Sequence, residues 1–471
     1  MNIKLTFLGA ARSVTGSRYL LEANGSKILV DCGLCQEREC RNRDWDPFPV
    51  PPTTIDAILL THAHLDHTGL LPKLVREGFR GNIYCIDATA DIAKVILLDS
   101  AKLQEEDAEF KRKRHEREGR KVAHPEIPLY TQDDAKAVFP LFSPVAYKEK
   151  ISLTKGIEAV FYEAGHVLGS ANIKITAREK QDERSILFSG DVGTGGRPIL
   201  RDPAVGLEAD YVLVESTYGN RSTPPAEDVA TQLAEIINTT EQAGGNIVIP
   251  SFALERSQDV LFYINQLLLE NRIPHLMVFL DSPMAVSITD IFEKHANLFD
   301  EEMAELVKHH QSPFHFIDLK LIRTIDESKA INHIKGTAII IAGSGMCNGG
   351  RIKHHLVANI TRPESTILFV GYQAIGTLGR QIVDGASRVR ILGEYYPVRA
   401  KIIQLHGLSA HADRDQLLKW LTGLKRPPRR VFIVHGEAES ALSFAELLKE
   451  QTGWNVTVPD YRETVILDSY F

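Results

Sequence analysis

The sequence has no long hydrophobic run and no recognisable targeting segment. Its longest apolar stretches, such as Ala338–Ala342, are far shorter than the ~20 residues that a membrane-spanning helix needs. The first residues alternate in hydrophobicity like a strand and lack a charged region followed by a long apolar region, so no signal peptide is expected. These absences predict a protein without a membrane span and with a cytoplasmic location.

The sequence also has few cysteines and no net positive charge. Five cysteines occur in 471 residues, and this odd number favours reduced thiols over a disulfide framework. Cys32 and Cys35 form a C-x-x-C pair, but no second pair stands at structural-zinc spacing, so ordinary packing is favoured for them. The formal net charge of -7 excludes a generally basic nucleic-acid binder. Any nucleic-acid partner would therefore have to be held by a local patch and a site, because affinity for phosphates depends on where the cations lie.

The remaining composition is that of a globular protein with two or three domains. Hydrophobic residues make up 44% of the chain and charged residues 24%. Short β-like runs dominate residues 1–215, strand-then-helix units fill 216–398, and further β-like runs with two helices occupy 399–471. Within the first segment, residues 100–121 predict a solvent-exposed helix of mixed charge, with a nucleic-acid arm as the alternative.

The strongest functional motif is His62-Ala63-His64-Leu65-Asp66-His67, which directly follows an apolar run. Imidazole and carboxylate groups are ligands of zinc and related divalent ions. One ion could not readily use all four ligands from so short a turn. The spacing therefore suggests two ions, with His62 and His64 on one and Asp66 and His67 on the other.

Two ions need further ligands, and four more candidates stand in the same context, immediately after a β-like run. A lone histidine in such a place is more often structural. Strands of one sheet bring their ends together, however, so the joint placement of these residues favours a common site. The candidates are Asp31, His166, Asp191 and His435.

A second group of residues is suited to contact the phosphates of a substrate. Ser251 and Arg256 flank a predicted strand-to-helix junction, and Ser344 and Gly345 belong to the glycine-rich stretch 343–350 after another strand. Tight turns that need glycine are the alternative interpretation of both stretches. A further set of basic residues in or beside the second segment could line a groove: Arg351, Lys353, Arg380, Arg388, Arg390 and Arg399.

Taken together, the motifs resemble those of the metallo-β-lactamase superfamily and, within it, the β-CASP branch of RNA-processing nucleases. Four motifs of the superfamily match at Asp31, at His62 to His67, at His166 and at Asp191. The three β-CASP motifs match at Glu215, His411 and His435. The resemblance implies an α/β fold, in which an αββα metallo-β-lactamase sandwich from both ends of the chain carries an inserted α/β β-CASP domain at 216–398.

The resemblance also implies roles for these residues. Two zinc ions would be held by His62, His64 and His166 on one side and by Asp66, His67 and His435 on the other, with Asp191 bridging them. Asp31 would orient a ligand histidine. His411, paired with Glu215, would protonate the leaving oxygen, giving a 5′-phosphate and a 3′-hydroxyl.

A metal-dependent ribonuclease acting on single-stranded RNA is therefore predicted, because a histidine at the position of His435 accompanies RNA substrates in this family. Endonucleolytic and 5′-to-3′ exonucleolytic cleavage are both compatible with the motifs. The alternatives are a small-molecule thioester or lactam hydrolase and a non-catalytic scaffold subunit of an RNA-processing complex. Assembly as a homodimer is left open.

Overall fold

The fold is that of a computed structural model of the chain. The structure describes residues 2–37, 40–118, 126–222, 228–309 and 312–467. The chain forms two units, each with its own core. The first comprises Met1–Arg197, Arg201–Ser222 and His411–Phe471, and the second comprises Pro198–Leu200 and Thr223–Ala410.

The strands are numbered in chain order. They are β1 (Ile3–Phe7), β2 (Tyr19–Ala23), β3 (Ser26–Val30), β4 (Ala57–Leu59), β5 (Asn82–Ile86), β6 (Phe142–Val145), β7 (Lys150–Thr154), β8 (Ile157–Glu163), β9 (Ala171–Glu179), β10 (Asp182–Phe188), β11 (Tyr211–Val214), β12 (Ile247–Pro250), β13 (Met277–Asp281), β14 (Leu319–Leu321), β15 (Ala338–Ala342), β16 (Thr366–Phe369), β17 (Arg388–Ile391), β18 (Glu394–Pro397), β19 (Lys401–Gln404), β20 (Arg430–Ile433), β21 (Val456–Thr457) and β22 (Thr464–Leu467).

The α-helices are numbered in the same way. They are α1 (Leu65–Thr68), α2 (Leu71–Arg76), α3 (Asp87–Glu118), α4 (Gln132–Val138), α5 (Val229–Gln242), α6 (Arg256–Leu269), α7 (Pro283–Lys294), α8 (Glu301–Lys308), α9 (Ile325–Ile331), α10 (Ile352–Asn359), α11 (Leu378–Val383), α12 (Arg414–Thr422) and α13 (Ala438–Thr452).

The first unit is a sandwich of two seven-stranded sheets. Their strand orders are β22-β1-β2-β3-β4-β5-β6 and β21-β20-β11-β10-β9-β8-β7. Aromatic rings fill the space between the sheets, with centroids 5.3 Å apart for Phe7 and Phe432 and 6.3 Å apart for Tyr19 and Phe188. Apolar side chains of α2, α3 and α4 pack on the outer face of the first sheet, and those of α12 and α13 pack on the second. This is the αββα arrangement that the resemblance implies.

The second unit contains a six-stranded parallel sheet with the order β14-β13-β15-β12-β16-β19, and a separate hairpin of β17 and β18. The strands alternate with helices, and α10 and α11 pack on the sheet through buried Ile352, Leu356 and Ile382. All six strands run in one direction, so the loops that follow them lie along one edge of the sheet. That edge carries the serines and glycines that the sequence analysis selected.

The second unit extends further along the chain than the sequence pattern predicts. Lys401–Gln404 forms β19, which pairs in parallel with β16, so residues 399–410 lie in the second unit and not in the C-terminal part of the first. A short apolar run carries no signal of the sheet that it joins, because any sheet with an open edge can accept it. The predicted helix at 100–121 is the outer part of α3, and residues 119–121 lie outside the described residues.

The expectation that all cysteines are reduced is corrected. Cys35 and Cys40 form a disulfide, whereas Cys32, Cys85 and Cys347 are free and buried. Spacing alone could not reveal this pair, because it depends on how the chain turns after β3. Within the described ranges, no helix is long and apolar enough to cross a membrane.

Candidate metal centre

The seven candidate metal ligands converge at one edge of the two sheets in the first unit. His62 follows β4, His166 follows β8, Asp191 follows β10 and His435 follows β20. The strands β10, β11 and β20 are parallel neighbours, which brings Asp191, Glu215 and His435 to the same edge. The short helix α1 begins shortly after β4 ends, and this tight turn brings Asp66 and His67 beside the strand ends.

One group of ligand atoms consists of three imidazoles and one carboxylate oxygen. His64 Nδ1 lies 3.0 Å from His62 Nε2 and 3.3 Å from His166 Nε2. Asp191 Oδ2 lies 3.5 Å from both His62 Nε2 and His166 Nε2. These four donor atoms are mutually close enough to bind one cation.

The second group lies on the other side of Asp191. His67 Nε2 is 3.1 Å from His435 Nε2, and Asp66 Oδ2 is 3.4 Å from the same His435 atom. Asp191 Oδ1 is 3.4 Å from His67 Nε2 and 3.7 Å from His435 Nε2. The two oxygens of Asp191 therefore face different groups, as a bridging carboxylate would require.

The donor sets fit zinc. Zinc–nitrogen bonds of 2.0–2.1 Å in a tetrahedral site separate the ligand atoms by roughly 3.3 Å, and the distances in both groups lie close to this value. Asp191 Oδ1 is buried and accepts no hydrogen bond within the described part of the chain. A buried carboxylate oxygen without a hydrogen bond is costly unless a cation lies beside it.

Neighbouring side chains fix the orientation of two ligand rings. His67 Nδ1–H donates to Asp31 Oδ2 over 2.7 Å, and the same carboxylate accepts from the backbone N–H and hydroxyl of Thr61, each over 2.8 Å. His435 Nδ1 lies 3.1 Å from Thr217 Oγ1. Both contacts leave Nε2 directed toward the cluster, as metal-ligating histidines require.

His411 and Glu215 lie beside the first group of ligands. His411 Nδ1–H donates to Glu215 Oε1 over 3.2 Å, and its ring centroid is 4.5 Å from that of His166. Glu215 is fully buried, and its oxygens also accept from the backbone N–H groups of Val192 and Thr217. These contacts hold the carboxylate in place, and the partly exposed His411 ring is oriented by it.

The protein surroundings shift the pKa values of histidines in the two ligand groups in opposite directions. Burial lowers the pKa of His64 to about 4, and burial together with the other imidazoles lowers the pKa of His62 well below its usual value. Burial opposes charge on His435 as well, but Asp191 and Asp66 more than offset it and raise its pKa to about 10. His62 and His64 of the first group are thus neutral and ready to bind a cation at pH 7.

A raised pKa also distinguishes His411. Burial disfavours the charged ring, but the Glu215 carboxylate, through its charge and its hydrogen bond, outweighs burial and raises the pKa of His411 above its ordinary value. Burial likewise disfavours charge on Glu215, but His411 holds the pKa of that carboxyl below its usual range. The pair is therefore stabilised as imidazolium and carboxylate.

The predicted phosphate-contacting residues all lie in the second unit. Ser251 and the loop with Ser344 and Gly345 follow the neighbouring strands β12 and β15. The two arginines, however, face carboxylates: Arg256 Nη1 is 3.4 Å from Asp259, and Arg380 Nε is 2.8 Å from both oxygens of Asp384. The structure therefore brings the serines and the glycine together at one sheet edge but gives both arginines acidic partners.

Three residues near the centre were missed by the sequence analysis. Thr61 contacts Asp31, Thr217 contacts His435, and the Tyr218 ring lies 5.7 Å from that of His411. Each of them is within three residues of a predicted site residue. Their adjacency to the motifs could have identified them from the sequence. The directions of their side chains could not be predicted in this way.

Comparisons with known proteins agree with this geometry. Three family descriptions match: a metallo-β-lactamase superfamily domain over residues 20–191, a β-CASP domain over 257–382, and a Zn-dependent metallo-hydrolase RNA specificity domain over 395–459. Ribonuclease TTHA0252 of Thermus thermophilus is 37% identical over 446 residues, which cover 95% of this chain and 96% of that protein. The chain belongs to the β-CASP branch of the metallo-β-lactamase superfamily.

Two further proteins are similar to this β-CASP protein. Transcription termination factor FttA of Methanosarcina mazei is 30% identical over 94% of this chain and 68% of that protein. A crystal structure of a protein of unknown function from Enterococcus faecalis superimposes with a TM-score of 0.56 at 11% identity, covering 99% of this chain and all of that one, and shows the fold alone.

The family and the fold class predicted from the sequence are thus confirmed for this β-CASP protein. The likeness to a family of Zn-dependent metallo-hydrolases and the His/Asp cluster both support a metal centre. The homodimer and the cytoplasmic location stay predictions.

Proposed function

We propose that the protein is a ribonuclease that hydrolyses phosphodiester bonds of single-stranded RNA with a two-zinc site and leaves a 5′-phosphate and a 3′-hydroxyl. The main supporting observation is Asp191, whose two oxygens face two separate sets of ligand atoms beside the His411–Glu215 pair. An RNA substrate is supported by the match to an RNA specificity domain and by the similarity to a named ribonuclease.

Each ligand group has a defined task in this proposal. His62, His64 and His166 would hold one ion and Asp66, His67 and His435 the other, and Asp191 would contribute an oxygen to each. Zinc ions bound there would supply Lewis-acid stabilisation of the phosphodiester and activation of water at neutral pH.

His411 provides the proton that the leaving 3′-oxygen needs. The Glu215 carboxylate raises the pKa of His411 and so favours the charged ring, and the hydrogen bond from Nδ1 to Glu215 leaves Nε2–H as the proton donor. Glu215 itself does not reach the substrate, because it is fully buried and its oxygens accept several hydrogen bonds within the protein. It stabilises the imidazolium and aims the ring.

Asp31 is assigned as a positioning residue for His67. The Asp31→Asn variant is expected to bind zinc about 10- to 100-fold more weakly, because the neutral amide no longer fixes the tautomer and orientation of His67 through a charged acceptor. Competition with a coloured zinc chelator measures the affinity. Asp56→Asn is the matched control, since Asp56 also accepts a backbone N–H, from Lys27, but lies outside the centre. Equal zinc affinity in both variants would contradict the role of Asp31.

The activity is tested with end-labelled single-stranded RNA and a DNA strand of the same sequence. The zinc-loaded protein is expected to cut the RNA, to leave the DNA largely intact, and to lose activity with a chelator until zinc is restored. Mapping the product ends checks for 5′-phosphates, and labels at either end distinguish internal cuts from stepwise removal of nucleotides. Intact RNA with a zinc-loaded, folded protein would refute the proposal.

A further inference from the structure

A phenylalanine on the second unit is exposed in an unusual setting. Phe252 follows the central strand β12, and 40% of its surface remains accessible. The neighbours of β12 in the sheet are β15 and β16, and both run parallel to it. The loops after all three strands therefore meet at the same edge, which is where open α/β sheets bind ligands.

The Phe252 ring rests on the backbone of two glycines from these neighbouring loops. A Cβ atom at Gly345 would come within 2.8 Å of the ring, and one at Gly371 would lie 3.5 Å from it. Real Cβ contacts essentially never fall below 3.0 Å, so any side chain at Gly345 would displace the ring. The absence of a side chain at Gly345 is thus needed for the observed ring position.

A buried amide joins the two glycine loops that contact the ring. Gln373 is 5% exposed, and its Nε2 group donates to the carbonyl oxygens of Gly345 over 2.9 Å and of Gly371 over 3.1 Å. This arrangement fixes the relative position of the two loops. The Phe252 ring is therefore held on a rigid base and loses little conformational freedom if another flat group stacks on it.

Further apolar surface continues from Phe252 along the loop after β16. Tyr372 is 49% exposed and Ile375 is 85% exposed. The helices α6 and α10 begin at this same edge of the sheet, and the N-termini of helices favour the phosphates of a nucleic acid. Proteins that bind single strands without sequence preference use exposed aromatic rings of this kind as surfaces on which bases stack.

We propose that Phe252, supported by Gly345, Gly371 and Gln373, is a stacking surface for an unpaired nucleobase of the RNA substrate. This inference rests on the proposed ribonuclease function and names the part of the substrate that the second unit recognises. Every base presents a flat π-face, so the contact is tolerant of sequence. A base within a duplex is covered by its neighbours, so the contact favours single-stranded RNA.

The first test compares binding of two RNA strands to the full-length, chelator-treated protein by fluorescence anisotropy. One strand is oligouridylate, and the other has the same backbone with abasic residues. Phe252→Ala is expected to weaken binding of oligouridylate about 5- to 150-fold and to leave binding of the abasic strand unchanged. Phe252→Trp is expected to restore the preference for bases. Equal affinities of the parent protein and Phe252→Ala for oligouridylate would overturn the proposal.

The second test changes the glycine that supports the ring and leaves Phe252 itself unmutated. Gly345→Ala is expected to weaken oligouridylate binding as Phe252→Ala does, because the added methyl group displaces the ring. Gly349→Ala is the matched control in the same loop, since a Cβ there meets nothing within 4 Å. Circular dichroism checks that both variants are folded. Parent-like binding by folded Gly345→Ala would contradict the role of the glycine.

These measurements separate the stacking inference from the proposed function. Binding is recorded without cleavage, so it does not depend on whether the protein cuts RNA. Cleavage by a Phe252→Ala protein with an unchanged KM would overturn the stacking surface and leave the ribonuclease function intact. Base-dependent binding by a zinc-loaded protein that never cuts RNA would refute the ribonuclease function alone.

Discussion

Replacing Asp191 by alanine is expected to remove bound zinc from the protein and to reduce RNA cleavage by at least about 1,000-fold. Both carboxylate oxygens are within 3.7 Å of ligand nitrogens, Oδ2 in the first group and Oδ1 in the second, so one substitution removes a ligand from each ion. Loss of the ions removes the activated water and the clamp on the phosphodiester. Elemental analysis of the purified variant measures the zinc content.

The matched control for this experiment is Asp133→Ala. The Asp133 side chain is 92% exposed and lies on α4, away from the strand ends that carry the site. The Asp133→Ala variant is expected to retain two zinc ions and full activity. An Asp191→Ala protein that still holds two zinc ions per chain would show that the carboxylate does not bridge them.

His411→Ala is expected to retain both zinc ions and to lose about 100- to 10,000-fold in kcat, the usual contribution of a general acid. The acid form of His411 exists below its pKa, so kcat of the parent protein should fall as pH rises through that value. The variant should lack this alkaline decline. Zinc analysis and a pH profile of single-stranded RNA cleavage measure the two expectations.

The chemistry of the leaving group provides a sharper control for His411. A p-nitrophenyl phosphodiester has a leaving group that needs no proton, so His411→Ala should cut it nearly as fast as the parent protein does. Glu215→Gln should move the alkaline decline to lower pH, because the Glu215 carboxylate raises the pKa of His411. Equal losses of His411→Ala on RNA and on the activated ester, or a zinc-depleted variant, would contradict the assignment.

Most of the fold could be anticipated from the sequence because local patterns encode local structure. Runs such as 157–161 and 186–188 became parts of β8 and β10, and the helical spacing at 256–270 corresponds to α6. The compact second unit extends to Ala410, beyond the predicted boundary near 398, for a physical reason. Whether residues 401–404 pair with β16 or with a strand of the first unit depends on the edge that is available, and no local pattern records that.

The metal-ligand motif of the candidate site was easier to predict from the sequence than the residues that would contact the substrate phosphates. Four ligands stand within six residues, so their proximity follows from chain connectivity alone. The arginines predicted to contact phosphates were harder to judge. Arg380 is a cation in any interpretation of the sequence, but only the structure shows that its Nε donates to both oxygens of Asp384.

Residue identity and short-range spacing are enough to assign the chemical groups available and the family to which the chain belongs, because both are present in the linear chain. How those groups are combined depends on the three-dimensional fold. It divides the oxygens of Asp191 between two imidazole groups and seats the Phe252 ring on glycines from neighbouring strands. Such contacts join residues that are distant along the chain. They are set by strand register and packing, which local sequence does not specify.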